Sequence, residues 1–274
     1  MKFKYLGTAA AERVPAVFCD CENCKMAREL GGKNVRTCSQ AIIDEDLLID
    51  LCPDTYMHEI LYGLHLDKIK YLLVTHSHGD HFVPYELIMR QKPYAHGLNE
   101  ELLVLCNAAV ADAIYKTGIT NVSGSVKVTA VEPFKTYIVG NYAITPLPAR
   151  HMTTEQALIY VIEKEGKKIL YGHDSGYFYD EVFDYLKTNK IKFDFISLDC
   201  TEGFNILGET ATHMSLNLNK RLCEKLRDIG SLTAETKIFL NHFSHNGKPI
   251  QEKLEEQAIG FGAKVAFDGA EIEL

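Results

Sequence analysis

The segment Thr75-His76-Ser77-His78-Gly79-Asp80-His81 constrains this chain more than any other stretch. Three histidines and one aspartate fall within six consecutive residues, directly after the apolar run Ile69–Val74. That run reads as a buried strand, so four ligating side chains emerge at one strand end. Imidazole and carboxylate suit Zn, Mn or Fe, and this density of such groups predicts a metal site. Polar capping of a strand end would account for one of these residues but not for the cluster.

A hydrolytic two-metal centre needs about three protein ligands per ion, with positions left open for water and substrate. Candidates lie after further strand-like runs. His151 follows Tyr142–Thr145 through Pro146-Leu147-Pro148-Ala149-Arg150, Asp174 follows Lys168–His173, and His242 follows Ile238–Asn241. Asp50 and Asp199 each end a strand. Either can fix the tautomer of a ligand imidazole from behind or be a plain strand-end carboxylate. His173 points away from Asp174 if its strand persists and is expected to pack or to support the site.

Periodicity predicts a strand over 2–7 and an irregular cysteine-rich loop over about 8–40, with a short helix Glu22–Leu30 ended by Gly31-Gly32. Strands follow at 41–43 and 47–49, then a helix over 54–64 marked by Met57, Ile60, Leu61 and Leu64. A longer helix is expected from Leu102 to Gly118. Residues 125–172 read as strands with turns at Gly140-Asn141 and Glu165-Gly166. Helices are expected near 179–189, 218–229 and 249–259, with strands at 193–198 and 237–240 and a final hairpin turning at Asp268-Gly269. No linker, repeat or charge shift divides the chain, so residues 1–274 are expected to form one domain. Strand pairs alternating with amphipathic helices suggest two packed sheets with helices outside.

In order and spacing, His76-Ser77-His78-Gly79-Asp80-His81, His151, Asp174 and His242 resemble the metallo-β-lactamase superfamily. The resemblance implies an α/β fold, the αββα sandwich of two mixed β-sheets flanked by helices. It implies two divalent metal ions, Zn or Mn, one on His76, His78 and His151, the other on Asp80, His81 and His242, bridged by Asp174. Hydrolysis would proceed through a hydroxide bridging them, with Asp80 also orienting it.

Cys19, Cys21 and Cys24 have C-x-C-x₂-C spacing, three of the four ligands of a tetrahedral structural zinc. Such a clip would order the 8–40 loop, which needs its own source of order. The loop is similar to that of one superfamily branch, which includes the phosphodiesterase of the carbon–phosphorus lyase pathway and the pyrroloquinoline quinone synthesis protein B. That likeness implies His245, in His242-Phe243-Ser244-His245, as the fourth zinc ligand. Thr212-His213-Met214-Ser215 resembles the branch's Gly-His-Met-Ser segment, with Thr212 in place of glycine. It implies that His213 reaches the substrate phosphate or the leaving oxygen. Arg36-Thr37-Cys38-Ser39-Gln40 stands where the branch more often has paired serines. Cys38, Cys52, Cys106, Cys200 and Cys223 lack metal spacing and are expected to pack.

The net charge of −8 argues against a nucleic-acid partner but not against a small anionic phosphodiester, because bound cations invert the local field. The N-terminus carries no signal-peptide pattern and no apolar run reaches the roughly 20 residues of a membrane span, so a cytoplasmic protein is expected. The eight cysteines then read as metal ligands or buried thiols. Relatives of the branch suggest a homodimer. The readings are therefore a metal-dependent phosphodiesterase on a small cyclic or nucleotide-like phosphodiester, with Asp80 and His213 catalytic; an RNA 3′-processing nuclease; or a cofactor-biosynthesis protein like the quinone-synthesis relative.

Overall fold

A computed structural model describes residues 1–98, 100–121 and 125–274. The first half runs β1 (Lys2–Gly7), α1 (Glu22–Leu30), β2 (Gln40–Ile43), β3 (Leu47–Ile49), α2 (Thr55–Tyr62), β4 (Tyr71–Leu73), β5 (Leu102–Cys106), α3 (Ala108–Thr117) and β6 (Val126–Ala130). The second runs β7 (Tyr137–Val139), β8 (Tyr142–Pro148), β9 (Leu158–Lys164), β10 (Lys167–Gly172), α4 (Asp180–Thr188), β11 (Phe195–Asp199), α5 (Leu216–Asp228), β12 (Lys237–Asn241), α6 (Gln251–Ala258), β13 (Ala263–Val265) and β14 (Glu271–Glu273).

Among the described residues the strands form two seven-stranded mixed sheets, ordered β14-β1-β2-β3-β4-β5-β6 and β13-β12-β11-β10-β9-β8-β7. Phe3, Tyr5, Ile43, Leu47, Ile49 and Leu73 of the first sheet pack on Ile144, Tyr160, Ile162, Ile169, Tyr171 and Phe195 of the second. The alternate residues Leu6, Ile42, Leu48, Leu72 and Val104 face outward against Val110 and Ile114 of α3. Likewise Val161, Leu170, Ile196 and Leu198 meet Val182 and Leu186 of α4 and Leu218, Leu222 and Leu226 of α5. Both faces of each sheet are covered, which is why the central strands read as unbroken apolar runs. The result is the expected αββα sandwich. Among the described residues no helix is long and apolar enough to cross a membrane.

Two expectations need correction. The helix foreseen from Leu102 is a strand, β5, followed by α3. Leu102-Leu103-Val104-Leu105 is apolar at every position and lies between parallel neighbours β4 and β6. The helix waits for Asn107, whose side chain accepts the Val110 N–H at 2.9 Å and caps it. Nor is the C-terminal hairpin a hairpin. β13 pairs in parallel with β12, β14 pairs antiparallel with β1 in the other sheet, and Asp268-Gly269 lies between them. Thr8 Oγ1 at 2.5 Å and the Thr37 N–H and hydroxyl at 2.7 and 2.6 Å donate to Asp268, anchoring this crossover to the N-terminal loop.

Helix α2 forms as expected, but its apolar stripe faces outward. Only Thr55 and His58 are buried, in a polar cluster where Thr55 and His58 both bond Gln40. Tyr56, Met57, Ile60 and Leu61 are each more than half exposed.

Candidate metal centre

Sheet direction gathers the site. β3 and β4 run parallel, as do β10, β11 and β12, and β8 shares their direction across the antiparallel β9. The carboxyl ends of these strands meet at one edge of the sandwich, the place where α/β sheets present ligand sites. There the chain must turn sharply away from each strand. Asp50 (φ 67°), Asp174 (φ 50°) and His242 (φ 60°) do so in the left-handed region, which Asp and His tolerate better than branched residues.

Two clusters share the Asp174 carboxylate. In one, His78 Nδ1 lies 3.0 Å from His76 Nε2 and 3.1 Å from His151 Nε2. Asp174 Oδ2 is 3.3 Å from His76 Nε2 and 3.7 Å from His151 Nε2. In the other, His81 Nε2 lies 2.8 Å from Asp174 Oδ2, 3.3 Å from Asp80 Oδ2 and 3.1 Å from His242 Nε2. All seven residues expected from the sequence therefore converge.

This arrangement fits cations. Asp50 is fully buried and can only accept, so its 2.7 Å contact places a proton on His81 Nδ1. The His81 Nε2 lone pair is then aimed at two carboxylates and another imidazole. Burial disfavours charge on His81, yet Asp50, Asp174 and Asp80 outweigh it and raise its pKa well above the ordinary value. The pocket calls for positive charge at that point. Likewise, one proton on His78 Nδ1 could serve only one of its two imidazole neighbours, whereas one ion serves all three. Burial holds His76 below its usual pKa and His151 down at about 4, which keeps both in the neutral, ligating form.

His213 joins the same edge. Its Nδ1 is 3.3 Å from Asp199 Oδ2 and 3.2 Å from Asp174 Oδ1. Burial lowers the His213 pKa, but Asp199 and Asp174 overcome this and raise it to about 9. Asp199 is itself buried and held by the Thr201 N–H and hydroxyl and by the Met214 N–H. The loops carrying these groups interlock at Gly176. A Cβ there would lie 1.8 Å from the Ala211 carbonyl oxygen, so only glycine allows the approach.

Cys19, Cys21 and Cys24 place their sulfurs 3.4, 3.5 and 3.5 Å from His245 Nδ1. With Zn–S near 2.3 Å and Zn–N near 2.0–2.1 Å, the sulfur–nitrogen edge of a tetrahedral site is about 3.6 Å. The four groups therefore fit one zinc. His245 draws the Cys21 thiol down to about 6, whereas burial pushes Cys24 up to about 11; a bound cation would ionise both. Beyond the clip, the N-terminal loop is tied to the metal edge by backbone bonds, Ala10 N–H to Phe243 O at 3.0 Å and Phe243 N–H to Thr8 O at 2.9 Å.

Residues 46–243 match the family model of the beta-lactamase superfamily domain. The chain belongs to the β-lactamase superfamily. Solved structures similar to this superfamily member include a diphosphatase of the PhnP family (21% identity, TM-score 0.74, covering 100% of this chain and 97% of that one). Zinc-bound PqqB from Methylobacterium extorquens is similar at 18% identity and TM-score 0.76 over 100% of both chains. Human tRNase Z, short form, follows at 16% identity and TM-score 0.65 over 100% of this chain and 99% of that one. No curated protein sequence matches. The matched stretch contains both clusters of the superfamily centre, while Cys19, Cys21, Cys24 and His245 fall outside it.

Several supporting residues escaped the sequence reading. Glu155 accepts the Ser77 N–H at 2.7 Å and the Asn107 amide at 3.3 Å, fixing the histidine-rich loop. Thr75 and Thr201 bond ring nitrogens of His76 and His242 at 3.0 and 2.8 Å. A threonine beside a ligand histidine is a usable signal for Thr75; Glu155 and Thr201 carry none in sequence. His173 does pack behind the site, bonded to Ser197 Oγ at 2.5 Å. Cys21→Ser should lower the zinc content of the purified protein by about one ion per chain and lower its melting temperature. Elemental analysis showing unchanged zinc would remove the clip.

Proposed function

We propose that this superfamily member is a phosphodiesterase acting on a small cyclic or nucleotide-like phosphodiester. The observation that carries this reading is a set of ligands sufficient for two ions, with the His213 ring beside it on the Asp199 and Asp174 carboxylates at 3.3 and 3.2 Å. His76, His78 and His151 would hold one divalent ion and Asp80, His81 and His242 the other, with the Asp174 carboxylate within reach of both groups. Such ions, Zn or Mn, supply positive charge for the phosphate oxygens and make water more acidic.

The chain's own groups do the rest. Asp80, more open than Asp174 (12% against 3% side-chain exposure), orients the attacking water. His213, one-quarter exposed, gives its proton to the departing alkoxide, a role worth about 10²–10⁴ in rate. Asp199 positions His213 and keeps it charged. The acidic balance weighs against the nuclease reading, because a long RNA needs a basic footprint.

Metal-loaded protein should hydrolyse bis-p-nitrophenyl phosphate, and Asp174→Ala should cut that rate at least roughly a hundredfold. Metal-loaded wild type inert toward every phosphodiester tried would contradict the reading. Because the proton donor must be charged, kcat for a diester with an alkoxide leaving group should fall as pH rises through the alkaline range, Asp199 holding the His213 pKa up. Asp199→Asn removes the raising charge, so the falling limb should move to lower pH. An unmoved limb would exclude His213 as the donor.

We also infer that two copies pair through the outward face of α2. Tyr56 lines a groove of about 450 Å³ together with Met89 and Tyr94, and Met57, Ile60 and Leu61 continue the exposed apolar surface along the helix. Light scattering should give a dimer for wild type and a monomer for Ile60→Lys; a monomeric wild type would overturn the pairing.

A further inference from the structure

One oxygen at the metal edge is left over by the two-ion arrangement. Asp174 reaches both ion clusters through Oδ2, which lies 3.3 Å from His76 Nε2, 3.7 Å from His151 Nε2 and 2.8 Å from His81 Nε2. Its Oδ1 is the oxygen that meets His213 and His242, at 3.2 and 3.4 Å from their Nδ1 atoms. Among the described residues nothing donates a hydrogen bond to Oδ1. Asp174 is only 2% exposed, and a buried acceptor left unmet costs about 1–3 kcal/mol.

Asp199 faces the same point from the end of β11. Its Oδ2 lies 3.3 Å from His213 Nδ1 and 3.4 Å from His242 Nδ1. Asp174, Asp199, His213 and His242 thus bring one ligating atom each to within 4.8 Å of the others, as the two groups of the metal centre do. The His242 nitrogen already has a partner in the Thr201 hydroxyl at 2.8 Å. That leaves Asp174 Oδ1, Asp199 Oδ2 and His213 Nδ1.

The spacing of these three suits an ion better than a proton. Metal–nitrogen and metal–oxygen bonds of about 2.0–2.2 Å make the edge of a tetrahedral site about 3.3–3.6 Å, and the two His213 contacts stand close to that. The hydrogen bond from His81 Nδ1 to Asp50, by contrast, is 2.7 Å long. A single proton on His213 Nδ1 bonds well to one carboxylate, whereas one cation serves both. His213 is one-quarter exposed, so the group meets solvent there and water can complete the coordination.

We propose that Asp174 Oδ1, Asp199 Oδ2 and His213 Nδ1 form a further divalent-cation site, distinct from the two-ion centre and from the cysteine clip. Two ions at the centre already balance the charges of Asp50, Asp80, Asp174 and Asp199. A further one is therefore held more weakly and binds when free metal is in excess. Its effect on catalysis rests on the phosphodiesterase reading above. A ring ligated through Nδ1 has only its Nε2 proton left, and giving that up would leave an imidazolate, so His213 becomes a poorer donor to the leaving oxygen.

The test is calorimetric titration with Zn²⁺ of protein already holding three ions per chain, with elemental analysis after dialysis against the same free zinc. Wild type should take up one further ion. His213→Ala should keep the first three and lose the fourth, and Asp199→Asn should weaken the fourth. Hydrolysis of 2′,3′-cyclic AMP, whose leaving group is an alkoxide, should slow in step with the fourth ion. The ion count needs no substrate, so it decides the site whatever the enzyme hydrolyses. A fourth ion bound with no slowing would uphold the site and tell against His213 as the proton donor. A count that stays at three in excess zinc, or a fourth ion retained in full by His213→Ala, would overturn the proposal.

Discussion

The Asp174 carboxylate is the point on which the molecule depends. It is buried between the two sheets' ends, with His76, His81, His151, His213 and His242 all within 4 Å of one of its oxygens. A lone ionised carboxylate in such a place would be strongly disfavoured. Positive charge nearby holds it well below the usual carboxylate range, with burial opposing and His242 and His81 prevailing. Everything else follows from supplying that charge at fixed positions. Strand ends from both sheets deliver the imidazoles, and left-handed turns at Asp50, Asp174 and His242 aim them.

Behind these groups lies a polar layer that removes their freedom. Asp50 and Thr75 bond His81 and His76, and Asp199 and Thr201 do the same for His213 and His242. Metal affinity and activity usually suffer 10–100-fold when such outer contacts are lost. Deeper still, His173, Ser197 and Tyr5 form a bonded chain across the sheets, and burial keeps His173 uncharged. The N-terminal loop closes over one side, held by the cysteine clip and by Arg36. That guanidinium is buried, bonded to Thr8, Gln251 and the Ala266 oxygen, and stacked on Phe243. It is a structural cation of the loop, where sequence alone left its role undecided.

Much of this was readable from the chain because the informative residues are rare and dense. Histidines and aspartates crowded after apolar runs have few structural reasons to exist, so His76–His81, His151, Asp174 and His242 stood out, as did the cysteine spacing. The fold class followed from strand and helix periods. What failed to show has a common cause: the deciding contact was distant in sequence. β5 resembled a helix start because a fully buried strand has no alternation. The Asp268 turn looked like a hairpin because the partners that capture its carboxylate, Thr8 and Thr37, are more than two hundred residues away. The outward stripe of α2 was visible as a helix period, but its direction was set by His58 and Thr55 bonding to Gln40 on β2. Glu155 gave no sign of its role, since it acts only through the backbone of Ser77.

The most direct measurement is anomalous X-ray scattering from crystals of the metal-loaded protein, recorded at the zinc and manganese edges. The account predicts two peaks roughly 3.5–4 Å apart flanking the Asp174 carboxylate, and a third among Cys19, Cys21, Cys24 and His245. A single peak at the histidine cluster, or two peaks that do not share Asp174, would contradict it.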